Sequence, residues 1–522
     1  MSRWKPALVL IVAAVAVGVA AVLWRPSPPP APPEPASDHA GNPGSDGPNV
    51  LLIVWDTTRA DRMSLYGHDV PTTPRLDAWA AQNATVYEAA QSAATWTLPA
   101  HSSLFTGLPV TTHGAHAGWK WLDHHHDTLA ETLGAAGYGT YVFSANPWMS
   151  PMANALQGFE RVEMAWSPRF KRTCRDATHS KLLDHDKSTE ISPAYESGDP
   201  DIAWQRSTFK DCAPVAGQAL MQWIDTQSGP WFAYLNLMEA HTPRIPSLEA
   251  RRKVMSEELV ELGLATDVSL FREVSYVVGE HHYTERELAA IRGVYDATLT
   301  ELDMATVDLL EKMKTRGLLE DTVVILTSDH GENLGDHQLF EHRWSIWQTL
   351  LHVPLVVYAP DALAVGRVSE PVSTAQIHDT ILDLTGVSDH VPSSLIGGAP
   401  PEVVSELRDP YASKLMPIRE AYPEMDVSAF LRTWEAYRAG PYKLSVPSDG
   451  DPALYDLSTD TSESVNLAET DPERLKALHD GLTAWQKAQS SYDPAKRTRR
   501  DKPKGAEDEE VRAQLEMLGY VE

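Results

Sequence analysis

Two carboxylates stand directly after long apolar runs of the sequence. Asp56 follows Asn49–Trp55 (NVLLIVW), and Asp329 follows Thr322–Thr327 (TVVILT) with one serine in between. His330 comes next, so an imidazole adjoins the second carboxylate. Because parallel strands end at a common edge of a sheet, we expect these side chains at the edge where open α/β sheets bind ligands. The donor set predicts a divalent-cation site, although an Asp at a strand end is also a common helix cap.

The segment Ala94–Gly107 (ATWTLPAHSSLFTG) contains a candidate nucleophile, the hydroxyl of Thr97. Thr97 precedes Pro99, which fits the first turn of a helix, and Gly107 fits the end of that helix. A helix N-terminus has unpaired N–H groups and a positive dipole, so it attracts anions. A metal ion touching the Thr97 hydroxyl would ease the loss of its proton. The alternative is that Thr97 only caps the helix.

The segments that must position these residues alternate between apolar runs and helical patterns, which predicts an α/β fold with a doubly wound parallel sheet. From about residue 430 the pattern changes to short antiparallel strands, followed by an amphipathic helix over Pro472–Gln489. We interpret that part as a small C-terminal α+β subdomain. The apolar runs predicted as strands are Asn49–Trp55, Thr140–Ser144, Trp231–Leu237, Thr322–Thr327 and Val353–Tyr358, and two of the predicted helices are Leu129–Ala136 and Leu288–Arg316.

Composition excludes several classes of protein. The chain has 522 residues, 43% of them hydrophobic, which is ample material for a large core. Its 44 Lys and Arg against 72 Asp and Glu give a net charge of −28, which repels phosphate backbones, so we expect no nucleic-acid partner. Two cysteines exclude a disulfide framework. Cys174 and Cys212 either pair in an oxidising compartment or stay as buried thiols.

The N-terminal residues have the pattern of an export signal. Arg3 and Lys5 precede 18 uncharged residues, 7–24, whose helix is just long enough to cross a membrane. An uncleaved signal anchor is the first interpretation and a cleaved signal peptide is the second. Nine prolines within residues 26–48 then predict a stiff spacer. Both interpretations predict an extracytoplasmic protein, in the periplasm or at the cell surface, and the first adds a membrane partner bound through the N-terminal helix.

The motifs, in this order and spacing, resemble the sulfatase family of the alkaline-phosphatase-like superfamily. The resemblance covers residues 49–490 and implies a sulfatase-like catalytic domain over residues 49–400 with a C-terminal subdomain over 401–490. Residues 1–25 are then the anchor, 26–48 the linker and 491–522 a tail. The matching stretches are NVLLIVWDTTRADRMSLYG, TWTLPAHSSLFTG, NLMEAHTP, TVVILTSDHGENLGDHQLFEHRWSIWQTLLHVPLVV, LYDLSTDTSESVNLA and the terminal AQLEMLGYVE.

The resemblance implies roles for particular residues. It makes Asp56, Asp329 and His330 metal ligands, and it puts Thr97 at the nucleophile position, where its oxygen also touches the metal. His241 matches a histidine that serves the leaving group or the oxyanion. His342 stands where sulfatases usually have a lysine that contacts the substrate anion, and a buried structural histidine is the alternative for both.

Departures from the family pattern bear on the substrate. Sulfatases convert a Cys or Ser at the nucleophile position to formylglycine, and Thr97 cannot be converted in this way because its Cβ carries a methyl group. His101 replaces the arginine of that motif, and Thr57 replaces the second Asp of an Asp-Asp pair. The Lys and Asn that usually follow the nucleophile helix are not evident in residues 114–121 (GAHAGWKW) or 143–148 (FSANPW). A Thr nucleophile resembles members that cleave or transfer phosphate esters, such as lipoteichoic acid synthases and phosphoethanolamine transferases.

The sequence therefore predicts a metal-dependent ester hydrolase or transferase that uses Thr97 on a phosphate ester. The alternatives are a sulfuric ester hydrolase of the arylsulfatase kind and a non-catalytic, membrane-tethered binding protein. The substrate carries an anionic phosphate or sulfate group in either enzymatic case. A histidine ligand favours Mn²⁺ or Zn²⁺ for the single ion, with Ca²⁺ and Mg²⁺ as alternatives.

Other polar residues have weaker signals. His113 and His116 follow the nucleophile helix and either line the pocket or pack structurally. The run His124–His126 either binds metal or forms a solvated loop. Arg59, three residues after Asp56, either clamps an anion, orients that carboxylate or forms a structural ion pair.

Overall fold

The structure is a computed structural model of the chain. It describes residues 47–184, 210–268, 270–388, 391–396, 402–409, 419–420, 422–493 and 495. The predicted anchor, most of the Pro-rich linker and most of the C-terminal tail lie outside the described residues. No helix within the described residues is long and apolar enough to cross a membrane.

A central sheet of eight strands organises the molecule, in the order β11-β2-β10-β7-β1-β6-β4-β5. The strands of this sheet and of three smaller sheets are β1 (Asn49–Trp55), β2 (Thr85–Tyr87), β3 (Ala90–Gln91), β4 (Gly139–Ser144), β5 (Arg161–Met164), β6 (Trp231–Leu237), β7 (Thr322–Thr327), β8 (Asn333–Leu334), β9 (Phe340–Glu341), β10 (Leu355–Tyr358), β11 (Gly366–Val368), β12 (Val372–Ser373), β13 (Glu402–Leu407), β14 (Trp434–Ala439), β15 (Tyr442–Pro447) and β16 (Ala453–Asp456).

Helices cover the sheet, in agreement with the alternating pattern of the sequence. They are α1 (Pro74–Asn83), α2 (Thr97–Thr106), α3 (Val110–His113), α4 (Leu129–Ala135), α5 (Lys171–Asp184), α6 (Ala213–Ile224), α7 (Leu248–Val254), α8 (Glu257–Ala265), α9 (Leu270–Val277), α10 (Glu285–Thr315), α11 (Gln348–Leu351), α12 (Gln376–Leu384) and α13 (Pro472–Ala488). The longest, α10, begins at a capping box in which Thr284 and Glu287 satisfy each other's backbone N–H groups.

The middle of the sheet explains why the first carboxylate lies where it does. Strand β1 is buried from Val50 to Trp55 and pairs in parallel with both β6 and β7. In this register Val54 stands beside Asn236 of β6 and Thr327 of β7. All three strands therefore end together, and the residues that follow them meet at one edge.

Strand β10 corrects one expectation. The run Val353–Tyr358 is predicted as a parallel strand, but β10 pairs antiparallel with β7 and β2. The chain between β7 and β10 stays at the edge where β7 ends, forming the hairpin β8–β9 and the short helix α11. Since no long crossover helix returns the chain to the opposite edge, the next strand runs back in the reverse direction.

Helix α2 carries the candidate nucleophile and is buried along its whole length. Pro99 lies in the first turn, as predicted, and Gly107 ends the helix with φ 69°, a left-handed conformation that glycine adopts without steric cost. A side chain at Gly107 would also meet the ring of His378, since an added Cβ would stand 2.9 Å from its Nδ1. The backbone turn after α2 is thus specified by this residue.

The C-terminal part contains the predicted antiparallel strands and amphipathic helix. Strands β13 to β16 form one antiparallel sheet, and α13 packs on it through Leu478 and Leu482. Lys443 of β15 is buried and bonds both Glu463 and the backbone carbonyl of Ile346. This buried pair ties the C-terminal sheet to the segment just after His342.

The two cysteines are free thiols in this structure, and both are buried. Burial raises the pKa of the Cys212 thiol, and its neighbour Cys174 raises it further. Of the two alternatives for these cysteines, the structure therefore has the buried thiols.

Candidate active site

Asp56 lies immediately after β1 with its carboxylate completely buried. Its Oδ2 accepts hydrogen bonds from Asn146 Nδ2 at 2.7 Å and from Asn236 Nδ2 at 3.2 Å. Burial and the nearby Asp329 raise the pKa of Asp56 to about 7. A second anion so close in a buried site is unfavourable unless a cation shares the space.

Asp329 and His330 follow β7 and face the same point. Asp329 Oδ1 accepts from the backbone N–H groups of Thr57 at 3.2 Å and His330 at 3.0 Å. The Nδ1 of His330 lies 2.9 Å from the carbonyl oxygen of Gly331. Because a carbonyl only accepts, Nδ1 carries the proton and the Nε2 lone pair points toward the carboxylates, as in histidines that bind metals.

Three donor atoms converge here. Each of the three ligand candidates has one buried atom without a hydrogen-bond partner among the described residues. These atoms are Asp56 Oδ1, Asp329 Oδ2 and His330 Nε2. One donor atom from each residue lies within 4.8 Å of the others, and Asp329 Oδ2 is 3.3 Å from His330 Nε2. Donors that share an ion at bonds of about 2.1 Å stand roughly 3.0–3.4 Å apart. The residues present therefore fit a divalent cation.

Thr97 is the first residue of α2, and its hydroxyl lies beside this cluster. Trp96 occupies the N-cap position and makes no side-chain capping hydrogen bond, and among the described residues the hydroxyl of Thr97 caps nothing either. Thr97 Oγ1 accepts from Asn146 Nδ2 at 3.3 Å, and the same amide group donates to Asp56. One asparagine thus connects the hydroxyl with the carboxylate.

Asn146 is a site residue that sequence reasoning missed. The expectation that residues 143–148 supply no such asparagine is wrong, because Asn146 follows β4 at the same sheet edge. Its Oδ1 accepts from Trp148 N at 2.8 Å, which fixes the amide so that Nδ2 faces Asp56 and Thr97. The signal that could have found it is its position directly after a predicted strand.

His101, at the motif position where the family has an arginine, is buried. Its Nδ1 donates to Thr97 O at 2.9 Å, and its Nε2 accepts from Tyr234 OH at 2.6 Å. Nδ1 also lies 3.6 Å from Asp329 Oδ2. Burial lowers the pKa of His101. The imidazole is therefore a neutral group that hydrogen-bonds the first turn of α2 and Tyr234 and lies beside the Asp329 carboxylate.

His342 lies beside His330, and His241 lies beside His342. The ring centroid of His342 is 4.5 Å from that of His330 and 5.3 Å from that of His241. His241 Nδ1 donates to Thr242 O at 2.6 Å, which leaves Nε2 buried with no hydrogen-bond partner among the described residues. The structure thus brings all six predicted site residues, Asp56, Thr97, His241, Asp329, His330 and His342, into one region.

Glu332 is a second residue that the sequence did not single out for its chemistry. Its Oε1 accepts from His342 Nδ1 at 3.0 Å, and its Oε2 pairs with Arg244 at 2.9 Å. All three side chains are buried. The carboxylate orients the His342 ring and compensates the buried guanidinium.

The remaining candidates lie elsewhere. His113 hydrogen-bonds Ser103 Oγ at 3.0 Å behind α2, and His116 pairs with Asp409 at 3.0 Å. His125 of the histidine run pairs with Asp123, and within the described residues one group of three or more metal-donor side chains is found, that of Asp56, Asp329 and His330. Arg59 is buried and pairs with Asp61 and Asp336, each at 2.7 Å, so it forms the structural ion pair rather than an anion clamp.

Comparison with known proteins identifies the family of the chain. A family model described as Sulfatase matches residues 48–387. Arylsulfatase K of Bos taurus is 26% identical over 465 residues, which cover 84% of this chain and 81% of the relative. The Ulvan-active sulfatase of Formosa agariphila is 24% identical over 430 residues, which cover 80% of this chain and 77% of the relative.

Solved structures confirm the predicted α/β, alkaline-phosphatase-like fold. The phosphonate monoester hydrolase of Agrobacterium radiobacter superposes with a TM-score of 0.62 at 22% identity, covering 84% of this chain and 95% of that one. The family match spans more than half of the sequence, and it includes Asp56, Thr97, Asp329 and His330. The chain belongs to the sulfatase family of hydrolases.

Proposed function

We propose that this sulfatase-family protein is a metal-dependent hydrolase or transferase of phosphorus esters, with Thr97 as its nucleophile. The observation that carries the proposal is the position of an unmodifiable threonine hydroxyl at the first residue of α2, beside Asn146 and the Asp56 carboxylate. A solved neighbour that acts on phosphonate monoesters supports phosphorus chemistry. The named arylsulfatase relatives support the second candidate, a sulfuric ester hydrolase.

A divalent ion held by Asp56, Asp329 and His330, with Mn²⁺ or Zn²⁺ favoured, would supply a positive charge that stabilises anionic oxygens in this site. The residues of the chain bind the anionic ester and position the nucleophile. The N-terminus of α2 presents backbone N–H groups to the anionic ester. Asn146 holds the Thr97 hydroxyl next to Asp56. His101 fixes the first turn of α2 through its hydrogen bond to the carbonyl of Thr97.

The covalent step exchanges one ester bond for another. Thr97 Oγ1 loses its proton and forms a bond to phosphorus, while the bond from phosphorus to the leaving oxygen breaks. The leaving oxygen takes a proton. The proton of Thr97 passes to solvent. His241, after taking a proton from solvent at Nε2, gives it to the leaving oxygen, and His342, which Glu332 orients, stands beside His241 as the second group that can do so. Water or an acceptor alcohol then releases the phosphoryl group from Thr97.

A substrate panel tests the chemistry. We expect the chelated protein, supplied in turn with Mn²⁺ and Zn²⁺, to hydrolyse 4-nitrophenyl phosphate, bis(4-nitrophenyl) phosphate or 4-nitrophenyl phenylphosphonate faster than 4-nitrophenyl sulfate. The reason is that a threonine cannot provide the aldehyde hydrate of a formylglycine. Release of nitrophenolate gives kcat/KM for each ester directly. A chain that prefers the sulfate by a wide margin would establish the second candidate.

We also propose that the protein is exported and tethered to a membrane through residues 7–24. This proposal is supported by the uncharged run with its basic flank and by the Pro-rich spacer after it. A chain that begins at Gly47 should be soluble and as active as the full chain, since the compact unit begins near that residue. A reporter fused after Pro48 should be active outside the cytoplasm, and activity only inside the cytoplasm would contradict the proposal.

A further inference from the structure

The segment that carries His241 has no regular secondary structure of its own to position it. It follows β6 as Met238–His241 and is buried. The segment Lys210–Ala213 lies against it, just before and at the start of α6. The side chains of Lys210 and Glu239 connect these two segments, and we call this pair of side chains the clamp.

We propose that Lys210 is a positioning residue that, with Glu239, holds His241 Nε2 at the active site. This inference rests on the proposed function, in which His241 transfers a proton to the leaving oxygen. Lys210 lies outside every sequence motif that resembles the sulfatase family, so its role follows from its contacts alone.

The clamp is reciprocal. Lys210 Nζ donates to the carbonyl oxygens of His241 at 2.8 Å and Met238 at 3.2 Å. In the opposite direction, Glu239 Oε1 accepts from the backbone N–H groups of Cys212 at 2.9 Å and Ala213 at 2.8 Å. Four hydrogen bonds from charge-bearing side chains therefore fix one backbone segment against the other.

The clamp controls the imidazole because the ring is held by its own backbone. His241 Nδ1 donates to the carbonyl of Thr242, in the second peptide unit after the ring, so the ring moves with the backbone that follows it. Lys210 holds the carbonyl of His241 itself. A shift of that carbonyl carries Nε2 away from the substrate, and displacements near 1 Å are enough to cost about 100-fold in rate.

Lys210 is buried, and its amine is placed against two backbone carbonyls of the His241 segment. Lys210 is only 5% exposed, and its amine donates to backbone carbonyls of the His241 segment. Burial lowers the pKa of Lys210 to about 7, with Asp56, Glu239 and Glu332 opposing that shift and Arg244 adding to it. The amine donates to both carbonyls in its neutral and charged forms, so positioning does not depend on its protonation.

The test compares the full-length Lys210→Met and Lys443→Met variants. Lys443 is the matched control, because it is a buried lysine that also donates to a backbone carbonyl, that of Ile346. We expect Lys210→Met to lower kcat about 100-fold for a methyl phosphate ester and less than about 10-fold for the 4-nitrophenyl ester, whose leaving group needs no proton. KM should stay within about threefold, and Lys210→Arg should recover part of the loss.

Two further measurements separate this inference from the proposed function. The double variant Lys210→Met/His241→Ala should be no slower than His241→Ala, because Lys210 acts through that ring. In ¹⁵N-histidine NMR spectra, the His241 signal should shift in Lys210→Met and not in Lys443→Met. An unshifted signal, equal losses for both esters, or additive losses in the double variant would each overturn the clamp. A wild-type chain that cleaves no phosphorus ester would instead refute the proposed function, and the NMR comparison would still decide on the clamp.

Discussion

Replacing Thr97 with alanine should lower turnover by about 10⁴-fold while leaving the fold intact, because the covalent route requires that oxygen. The stability change should be small. Among the residues that the structure describes, Thr97 Oγ1 makes one long hydrogen bond, to Asn146, and does not cap α2. Its loss should therefore change the free energy of unfolding by about 1 kcal/mol or less. Urea unfolding and initial rates with a 4-nitrophenyl phosphorus ester measure the two effects on the same preparation.

Ser102→Ala is the matched control for this variant. Ser102 lies on the same helix, is fully buried, and has a hydroxyl with no hydrogen-bond partner among the described residues. It should keep near wild-type turnover. Thr97→Ser should retain part of the activity because a hydroxyl remains at the same position, and acid quench should trap phosphoryl-Thr97 in the wild type. A Thr97→Ala variant that stays within tenfold of the wild-type rate would exclude Thr97 as the nucleophile.

The sequence predicts those parts of the architecture that local residue patterns determine. Strands β1, β6 and β7 have the bounds that their apolar runs predict, because residues buried on both faces must be apolar throughout. Once these strands are placed in parallel, the side chains after them meet, and Asp56, Asp329 and His330 follow as neighbours. Pro99 and Gly107 likewise mark the two ends of α2 through their own backbone preferences.

What the sequence could not show are contacts that depend on loops and on side chains far apart in the chain. Asn146 reaches Asp56 across 90 positions, and no spacing rule connects them. The reversed direction of β10 depends on where the preceding loop leaves the chain. Lys210 has no neighbouring motif, and only the docking of α6 beside the His241 segment reveals its two carbonyl partners. These are properties of packing, which a local pattern does not contain.

Removing a ligand of the candidate cation should abolish both metal binding and activity. In Asp329→Ala or His330→Ala, one of the three donor side chains is lost, and no other described carboxylate, imidazole or thiol belongs to the cluster. We expect metal affinity to fall by at least about 100-fold, and kcat to fall with it. Metal content after dialysis, measured by atomic emission, gives the stoichiometry, and Asp61→Ala, at a structural ion pair, should keep the bound ion.

The same site predicts how chelation and pH act on the wild type. An ion present at about 1,000 times its dissociation constant adds about 4 kcal/mol to the free energy of unfolding, so chelation should remove that amount from the wild type and about 1.4 kcal/mol or less from Asp329→Ala, whose affinity is at least about 100-fold lower. The pKa of Asp56 is raised to about 7 and that of His330 to about 9, so the ion competes with a proton for the carboxylate below neutral pH and for the imidazole up to about pH 9. Metal affinity should therefore rise with pH up to about 9, as isothermal titration would show. A wild type whose unfolding is unchanged by chelation, or an Asp329→Ala variant that retains a full equivalent of metal, would mean that these three residues do not hold the ion.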